Sequence, residues 1–415
     1  MKKYTRRGFF KLAMALVLVL ALVLPAGLAR AADSFTFLVL GDTRTEPYCP
    51  GGQEQEEQIK KVLYHRYHVE PSRLTYGTDG QLETAEIVRD DGTYTLYYHN
   101  GWPRLLVRRQ GSESQVLMRE DGRKWVMDRV VAGINQGVLY PDYEPLFAVH
   151  GGDFVVNGYQ GASLAQSPYW QLVQSELLSR LPAPDDTLGL PGRVLAVVGN
   201  HELWDDENLV GMQETLPWLG DLGFSTDRRI YAFAYRNTRF IFLDSGTYCP
   251  GGTCWKSDNP PFAEQMTFLQ EQLRQAEAEG AQHVFVVYHK PSFIQVGHDP
   301  LPEGQNPHPY LKPFASKFNL VVFNSHAHTT EHYLVDGINY LVLGAGGAPI
   351  TFTPCENPSP QEELYWQGDK RVEEYSYLRV EVDGPRLRGE LHRYRPGDSL
   401  HPFSTVEMFN LAPAR

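Results

Sequence analysis

Six residues in the sequence carry side chains that divalent metals accept as ligands, and each follows a short apolar run: Asp42, Asp153, Asn200, His289, His326 and His328. Carboxylate, amide and imidazole together suit borderline ions such as zinc, manganese or iron, whereas calcium takes oxygen alone. Two cations about 3.5–4 Å apart need a shared ligand, and a carboxylate is the natural bridge. Such a pair generates hydroxide near neutral pH and neutralises charge on a phosphoryl oxygen. Near these residues, His201 could move a proton, and the guanidinium of Arg44 has the geometry to clamp a phosphate.

The elements that must position these side chains can be read from the apolar pattern. Phe35–Leu40 reads as a buried strand ending in Gly41-Asp42, and Leu146–Val149 as one ending near Gly152-Asp153. Arg193–Val198 leads into Gly199-Asn200-His201-Glu202, His283–Tyr288 into His289, and Leu320–Phe323 into Asn324-Ser325-His326-Ala327-His328. Helical periodicity lies between them, near Asp128–Gln136, over Tyr169–Leu181 and over Pro261–Glu279. In α/β sheets, ligands bind beyond the carboxyl ends of strands, so five strands ending on metal-competent residues are the main functional signal.

Two regions depart from this alternation. From Glu46 to Met127, alternating stretches with Asp91-Gly92 and Asn100-Gly101 as turn signals read as an antiparallel meander. After Glu331, strands dominate. The expectation is one domain over 32–415 with a β-rich insertion over 46–127.

In these ordered blocks the chain resembles the calcineurin-like metallophosphoesterases, including Tyr288-His289-Lys290-Pro291 and Ser325-His326-Ala327-His328. The resemblance implies a four-layer αββα β-sandwich with a dimetal site at one sheet edge. It assigns Asp42 and His328 to the first metal, Asp153 to the bridge, and Asn200, His289 and His326 to the second metal. It gives His201 the role of general acid, or of hydrogen-bond donor, towards the leaving oxygen. Glu202 reads either as orienting that imidazole or as an exposed carboxylate at a helix start. The function implied is hydrolysis of phosphate esters by a hydroxide activated between two metals, with zinc, manganese or iron as the ions. A non-catalytic or weakly active phosphoester-binding module on the same scaffold is the alternative.

The chain also departs from the family pattern. The first block usually reads Asp-x-His, but here it is Asp42-Thr43-Arg44. The purple-acid-phosphatase branch replaces that His with a Tyr three residues after the bridging Asp, where this chain has Val156. The first site is therefore expected to bind more weakly, and Arg44 reads as a phosphate clamp or as a solvated loop residue.

The chain is acidic, with 38 Lys and Arg against 50 Asp and Glu over 415 residues. Its first 31 residues hold six basic residues and no acid, which leaves a net charge of −18 downstream. No basic face for nucleic acid is expected. The apolar run Leu12–Leu24 is short for a membrane span and suits a signal peptide cleaved after Ala29-Arg30-Ala31. Thr5–Lys11 resembles the twin-arginine export signal. Residues 1–31 are thus expected to engage the twin-arginine export machinery and to leave no membrane span after cleavage. The mature protein would then be periplasmic or extracellular. Four cysteines in an exported chain favour disulfides, preferably Cys249–Cys254 with Cys49–Cys355, and a thiolate metal site is the other reading.

Overall fold

The structure is a computed structural model that describes residues 33–411, apart from 50, 142, 158–160, 184–187, 205, 250–251, 257–259, 352–353, 360–364, 367–372 and 397–402. The leader read at residues 1–31 lies outside the described residues. Strand β1 (Phe35–Leu40) is followed by helix α1 (Glu56–Tyr67) and by β2 (Arg73–Tyr76), β3 (Leu82–Arg89), β4 (Gly92–His99), β5 (Trp102–Gln110) and β6 (Glu113–Arg119). Next come α2 (Glu120–Leu139), β7 (Pro145–His150), α3 (Pro168–Glu176), β8 (Val194–Ala196) and the single turn α4 (Asn200–Leu203). Strands β9 (Tyr231–Tyr235) and β10 (Thr238–Phe242), a hairpin of β11 (Thr247–Cys249) and β12 (Gly252–Lys256), and helix α5 (Phe262–Ala278) lead to β13 (His283–Val287) and β14 (Asn319–Asn324). The remaining strands are β15 (Thr330–Val335), β16 (Ile338–Leu343), β17 (Tyr365–Trp366), β18 (Tyr375–Asp383), β19 (Arg386–Arg395) and β20 (Phe403–Asn410).

A six-stranded sheet runs β20-β19-β18-β1-β7-β8 and a seven-stranded sheet runs β17-β15-β16-β14-β13-β10-β9. Side chains alternate across a strand, so alternate apolar residues can serve two different cores. Phe37 points inward, its ring 5.2 Å from Phe240 and 5.0 Å from Phe285 on the opposite sheet. Phe147 stacks on Phe37 at 5.4 Å. On the outer face of the seven-stranded sheet, Ile241, Val284 and Val286 pack with Met266, Leu269 and Leu273 of α5. Helix α2 covers the six-stranded sheet, where Gly133 approaches Leu38 and Pro145. The result is the four-layer αββα sandwich. Strands covered on both faces must be apolar throughout, which is why β7, β13 and β14 read as unbroken hydrophobic runs.

The insertion has its own small core. Ile59, Leu63 and Tyr67 of α1 pack on Ala85, Ile87 and Leu96 of the meander β2-β3-β4-β5-β6. Helix α1 escapes the sequence pattern because its fully buried positions are only these three, four apart, with Val62 packing partly beside them and mostly polar residues between. The meander ends at Arg119, and residues 120–127 already belong to α2. That helix starts earlier than its apolar periodicity suggests, because Gly122 and Arg123 are buried near its first turn.

The cysteines require a correction. Cys49 and Cys355 are free thiols, so the Cys49–Cys355 bridge does not form. Each is satisfied locally: Cys49 lies in the insertion core with Sγ 3.6 Å from the Tyr98 hydroxyl. Cys355 packs with Ile294, Ala327 and Val342, its Sγ donating to the His298 carbonyl at 3.0 Å. The side chains of Cys249 and Cys254 lie outside the described residues. No helix among the described residues is long and apolar enough to cross a membrane.

Because Phe37 joins the two sheets, Phe37→Ala is expected to lower unfolding free energy by about 3–5 kcal/mol, the range for aromatic truncation in a packed core. Urea denaturation followed by tryptophan fluorescence measures this, and a change below about 1 kcal/mol would mean that the sheets do not depend on this ring.

Candidate metal centre

The site is built from loops at the carboxyl ends of β1, β7, β8, β13 and β14, which supply Asp42, Asp153, Asn200 with His201, His289, and His326 with His328. Backbone hydrogen bonds hold these loops together. Asp42 N–H donates to Gly152 O at 3.0 Å, Arg44 N–H to Asp153 O at 3.2 Å and Ser325 N–H to His289 O at 2.8 Å. Four of the candidate ligands adopt left-handed backbone, with φ of 51° at Asp42, 61° at Asp153, 70° at His326 and 51° at His328. Such residues cost about 1–3 kcal/mol each and cluster at functional sites. The glycines of the Gly-Asp and Gly-Asn pairs have a steric reason. A Cβ at Gly152 would sit 2.8 Å from His289 Nδ1, and one at Gly199 would sit 2.2 Å from Asp153 Oδ1.

The side chains converge in two groups that share Asp153. Asp153, His289 and His326 bring ligand atoms within 4.8 Å of one another, and so do Asp42, Asp153 and His328. Asn200 Oδ1 joins the former at 3.1 Å from His289 Nε2. A carbonyl only accepts, so the neighbours of three imidazoles fix their tautomers. Nδ1–H donates to Gly151 O from His289, to Pro349 O from His328 and to Val156 O from His201, at 2.7, 2.7 and 2.6 Å. Nε2 of each therefore faces the site. The carboxylates are anchored by one oxygen each: Asp42 Oδ2 accepts from His326 N–H at 2.6 Å and Asp153 Oδ1 from His201 N–H at 3.0 Å. Asp42 Oδ1, Asp153 Oδ2 and His326 Nε2 are buried with no hydrogen-bond partner among the described residues. Buried polar atoms are normally satisfied, so these three orphans are what a cation-binding site needs.

The group of Asp153, Asn200, His289 and His326 fits a divalent ion in donor type, and each group has an orphaned atom of its own, His326 Nε2 here and Asp42 Oδ1 in the other, besides the shared Asp153 Oδ2. The group of Asp42, Asp153 and His328 has suitable atoms, but Arg44 Nη2 already donates to His328 Nε2 at 3.3 Å. Arg44 is not a solvated loop residue, being only 2 % exposed. Its Nη1 donates to Glu46 Oε1 at 3.1 Å. Glu46 is fully buried and also accepts a bidentate pair from Arg66 at 3.0 and 3.1 Å and a bond from the Tyr67 hydroxyl at 2.7 Å.

Charge follows from this geometry. Burial pushes the Asp42 carboxyl well up. Burial acts the same way on Asp153, but His289 and His201 outweigh it and hold that carboxyl well below its usual range. Burial alone would lower His289, yet Asp153 beside it raises the imidazole to about 9. An ion entering this group must displace the His289 proton, so rising pH favours its binding. Burial, with Arg44 adding to it, pulls both His201 and His328 well down.

Several residues fall differently from their sequence reading. Glu202 is neither exposed nor on the imidazole. Its buried carboxylate accepts backbone N–H groups from Asp153, Phe154 and Gly199 at 2.9, 2.7 and 2.7 Å and so shapes the Asp153 loop. His150, at the end of β7, bridges the two aspartate loops by accepting from Gly152 N–H at 3.1 Å and bonding Thr43 Oγ1 at 2.9 Å. His332 bonds Asn339 and takes no part. Sequence reasoning missed Glu46, Arg66, Trp204, His298 and Arg108. Trp204 packs on His201 at 4.0 Å and His298 on His326 at 4.4 Å. A cavity of about 330 Å³ opens over the site, with Arg66, Tyr94 and Arg108 of the insertion on one wall and Lys290 on another. Burial lowers the Lys290 ammonium to about 8, against the pull of Asp244 and Asp153.

The model of the calcineurin-like phosphoesterase family matches residues 120–330, just over half of the 415-residue chain. The chain belongs to that family. No curated protein sequence matches it. Among solved structures it is similar to a purple acid phosphatase, PPD1, from yellow lupin (Lupinus luteus) seeds, at 12% identity and TM-score 0.46, over 91% of this chain and 54% of that one. It thus spans about half the length of the lupin protein. A dimetal phosphatase from Danio rerio is similar at 11% identity and TM-score 0.45, over 89% of this chain and 98% of that one. GAP50, the anchor in the inner membrane complex of Plasmodium, is similar at 14% identity and TM-score 0.43, over 72% and 86%.

Glu202 touches no candidate ligand atom of the imidazoles, yet it fixes the loop that presents Asp153. Glu202→Gln turns one acceptor into a donor against backbone N–H groups and is expected to weaken divalent-ion binding about 10–100-fold. Calorimetric titration of the folded variant with zinc measures the change, and an unaltered affinity would show that the loop keeps its shape without the carboxylate.

Proposed function

We propose that this protein hydrolyses phosphate esters in a metal-dependent reaction and that it works outside the cytoplasm after export by a cleaved twin-arginine-type leader. The observation that carries the first part is the convergence of six ligand side chains, with three orphaned coordinating atoms, beneath one cavity. Family membership supports the same class of reaction. A divalent cation held by Asp153, Asn200, His289 and His326 supplies Lewis acidity towards a phosphoryl oxygen and acidifies water.

The chain's own residues supply the rest. Arg44, Arg66, Arg108 and Lys290 line the cavity and outnumber Asp91 and Asp153 there, an excess of positive charge that suits a phosphoryl group in a protein that is acidic elsewhere. Arg44 faces the reacting group at a fixed angle because Glu46 holds its other side. His201 presents Nε2 to the cavity, with Nδ1–H committed to Val156 O. Nε2 carries no proton in the neutral ring, so His201 takes one from solvent in the cavity before delivering it to the leaving oxygen. A phosphate dianion beside it favours that protonated form. Trp204 against the ring limits its rotation.

A phosphoester-binding module without turnover is the second reading, favoured by the Arg44 contact with His328. Hydrolysis of an aryl phosphate and an aryl phosphodiester by the metal-loaded protein separates the two. Asp153→Asn is expected to abolish both ion binding and turnover, and His201→Ala to lower kcat about 10²–10⁴-fold while the ion is retained. No turnover with zinc, manganese, iron or cobalt would leave only the binding reading.

Export rests on Arg6-Arg7 and the apolar run Leu12–Leu24. Replacing both arginines by lysine is expected to leave the full-length chain in the cytoplasm of a bacterial host, whereas the parent chain appears outside it starting at Ala32. Unchanged fractionation on immunoblots would exclude the twin-arginine route.

A further inference from the structure

The two ligand groups are not equivalent, and the difference lies in what already occupies their lone pairs. His328 donates through Nδ1–H to Pro349 O, so Nε2 carries the lone pair that a first-site metal would need. Arg44 Nη2 uses that lone pair at 3.3 Å. A guanidinium cannot be deprotonated in a protein, so its N–H and a metal cannot share the same atom. Nor is Arg44 at liberty to leave, since Nη1 is fixed by Glu46, itself clamped by Arg66 and Tyr67. Arg44 Nε stands 3.8 Å from Asp153 Oδ2, on the carboxylate that both groups share. The guanidinium thus lies against two of the three first-site ligands.

In the other group His326 Nε2 has no hydrogen-bond partner among the described residues, and His289 Nε2 meets Asn200 Oδ1 and His326 Nδ1, each at 3.1 Å, which belong to the ligand set itself. No guanidinium among the described residues holds an imidazole of that group, whereas at the first group one is built into the chain.

We propose that the Arg44 guanidinium takes the place of the first metal ion, so that the protein binds one divalent cation, at Asp153, Asn200, His289 and His326, and Arg44 provides the second positive charge facing the phosphoryl group. The inference rests on the metal-dependent reading above, but it concerns the number of ions and can fail independently of turnover.

The full mature chain, stripped with a chelator and titrated with zinc by calorimetry, is expected to bind one ion, with the same count from elemental analysis of the loaded protein. Arg44→His, which exchanges the cation for a neutral ligand, is expected to bind two. Arg44→Ala serves as a second variant, in which opening the site restores weak binding of the second ion. His326→Ala is expected to lose the single ion of the parent protein, with affinity falling by more than about 100-fold, whereas His328→Ala keeps it within about threefold. Circular dichroism of each variant checks the fold. Two ions in the parent chain, or loss of the ion in His328→Ala, would overturn the one-ion assignment and leave metal dependence standing. No zinc or manganese bound by the parent chain would overturn both.

Discussion

Two carboxylates taken out of water set the terms for everything around them. Asp42 and Asp153 are 0% and 1% exposed, and an uncompensated buried charge costs several kcal/mol. Compensation comes from backbone N–H groups of His201 and His326, from the imidazoles of His289 and His201, and from the guanidinium of Arg44. These groups lie far apart in sequence, so the sandwich has to bring strand ends from both sheets together. Parallel pairing of β1 with β7 and of β13 with β14 does this, because each pair ends on the same side. The aromatic core between the sheets supplies the stability that four residues in left-handed backbone draw on.

The same constraint explains how much could be read from the sequence. A strand covered on both faces is apolar at every position, so a polar residue after the run has no packing purpose and stands out. Asp42, Asp153, His289 and His326 are visible for that reason, and the alternation of apolar runs with helical stretches makes the sandwich visible with them. Glu46 gives no such signal. Its burial depends on Arg66 and Tyr67, twenty residues further on, in a helix with only three core positions. Arg108 lies on a strand of the meander, where periodicity does not tell the cavity side from the solvent side. Glu202 is misread because a carboxylate in a first helical turn usually faces water, whereas this one faces the amides of a neighbouring loop. Parity alone suggests paired cysteines, but Cys49 belongs to the insertion core and Cys355 to a cluster under the β13 loop.

Arg44 shows where residue type ends and geometry begins. In the sequence it is a guanidinium in a loop, equally suited to phosphate or to water. In the fold it is a fixed cation because Glu46 is deeply buried and cannot release it. A lysine there could not replace it, since a single ammonium lacks the planar fork that reaches Glu46 and His328 at once.

The Glu46 contact ties composition to architecture. Arg66 reaches Glu46 from α1, a helix whose buried face packs on the β2–β6 meander. A homologue that shed this excursion would strand Glu46 with Arg44 as its sole counter-charge and draw the guanidinium off His328. Arginine at position 44, glutamate at 46 and the extra sheet are therefore mechanically one unit: removing the meander from this chain would also alter the chemistry at the mouth of its site.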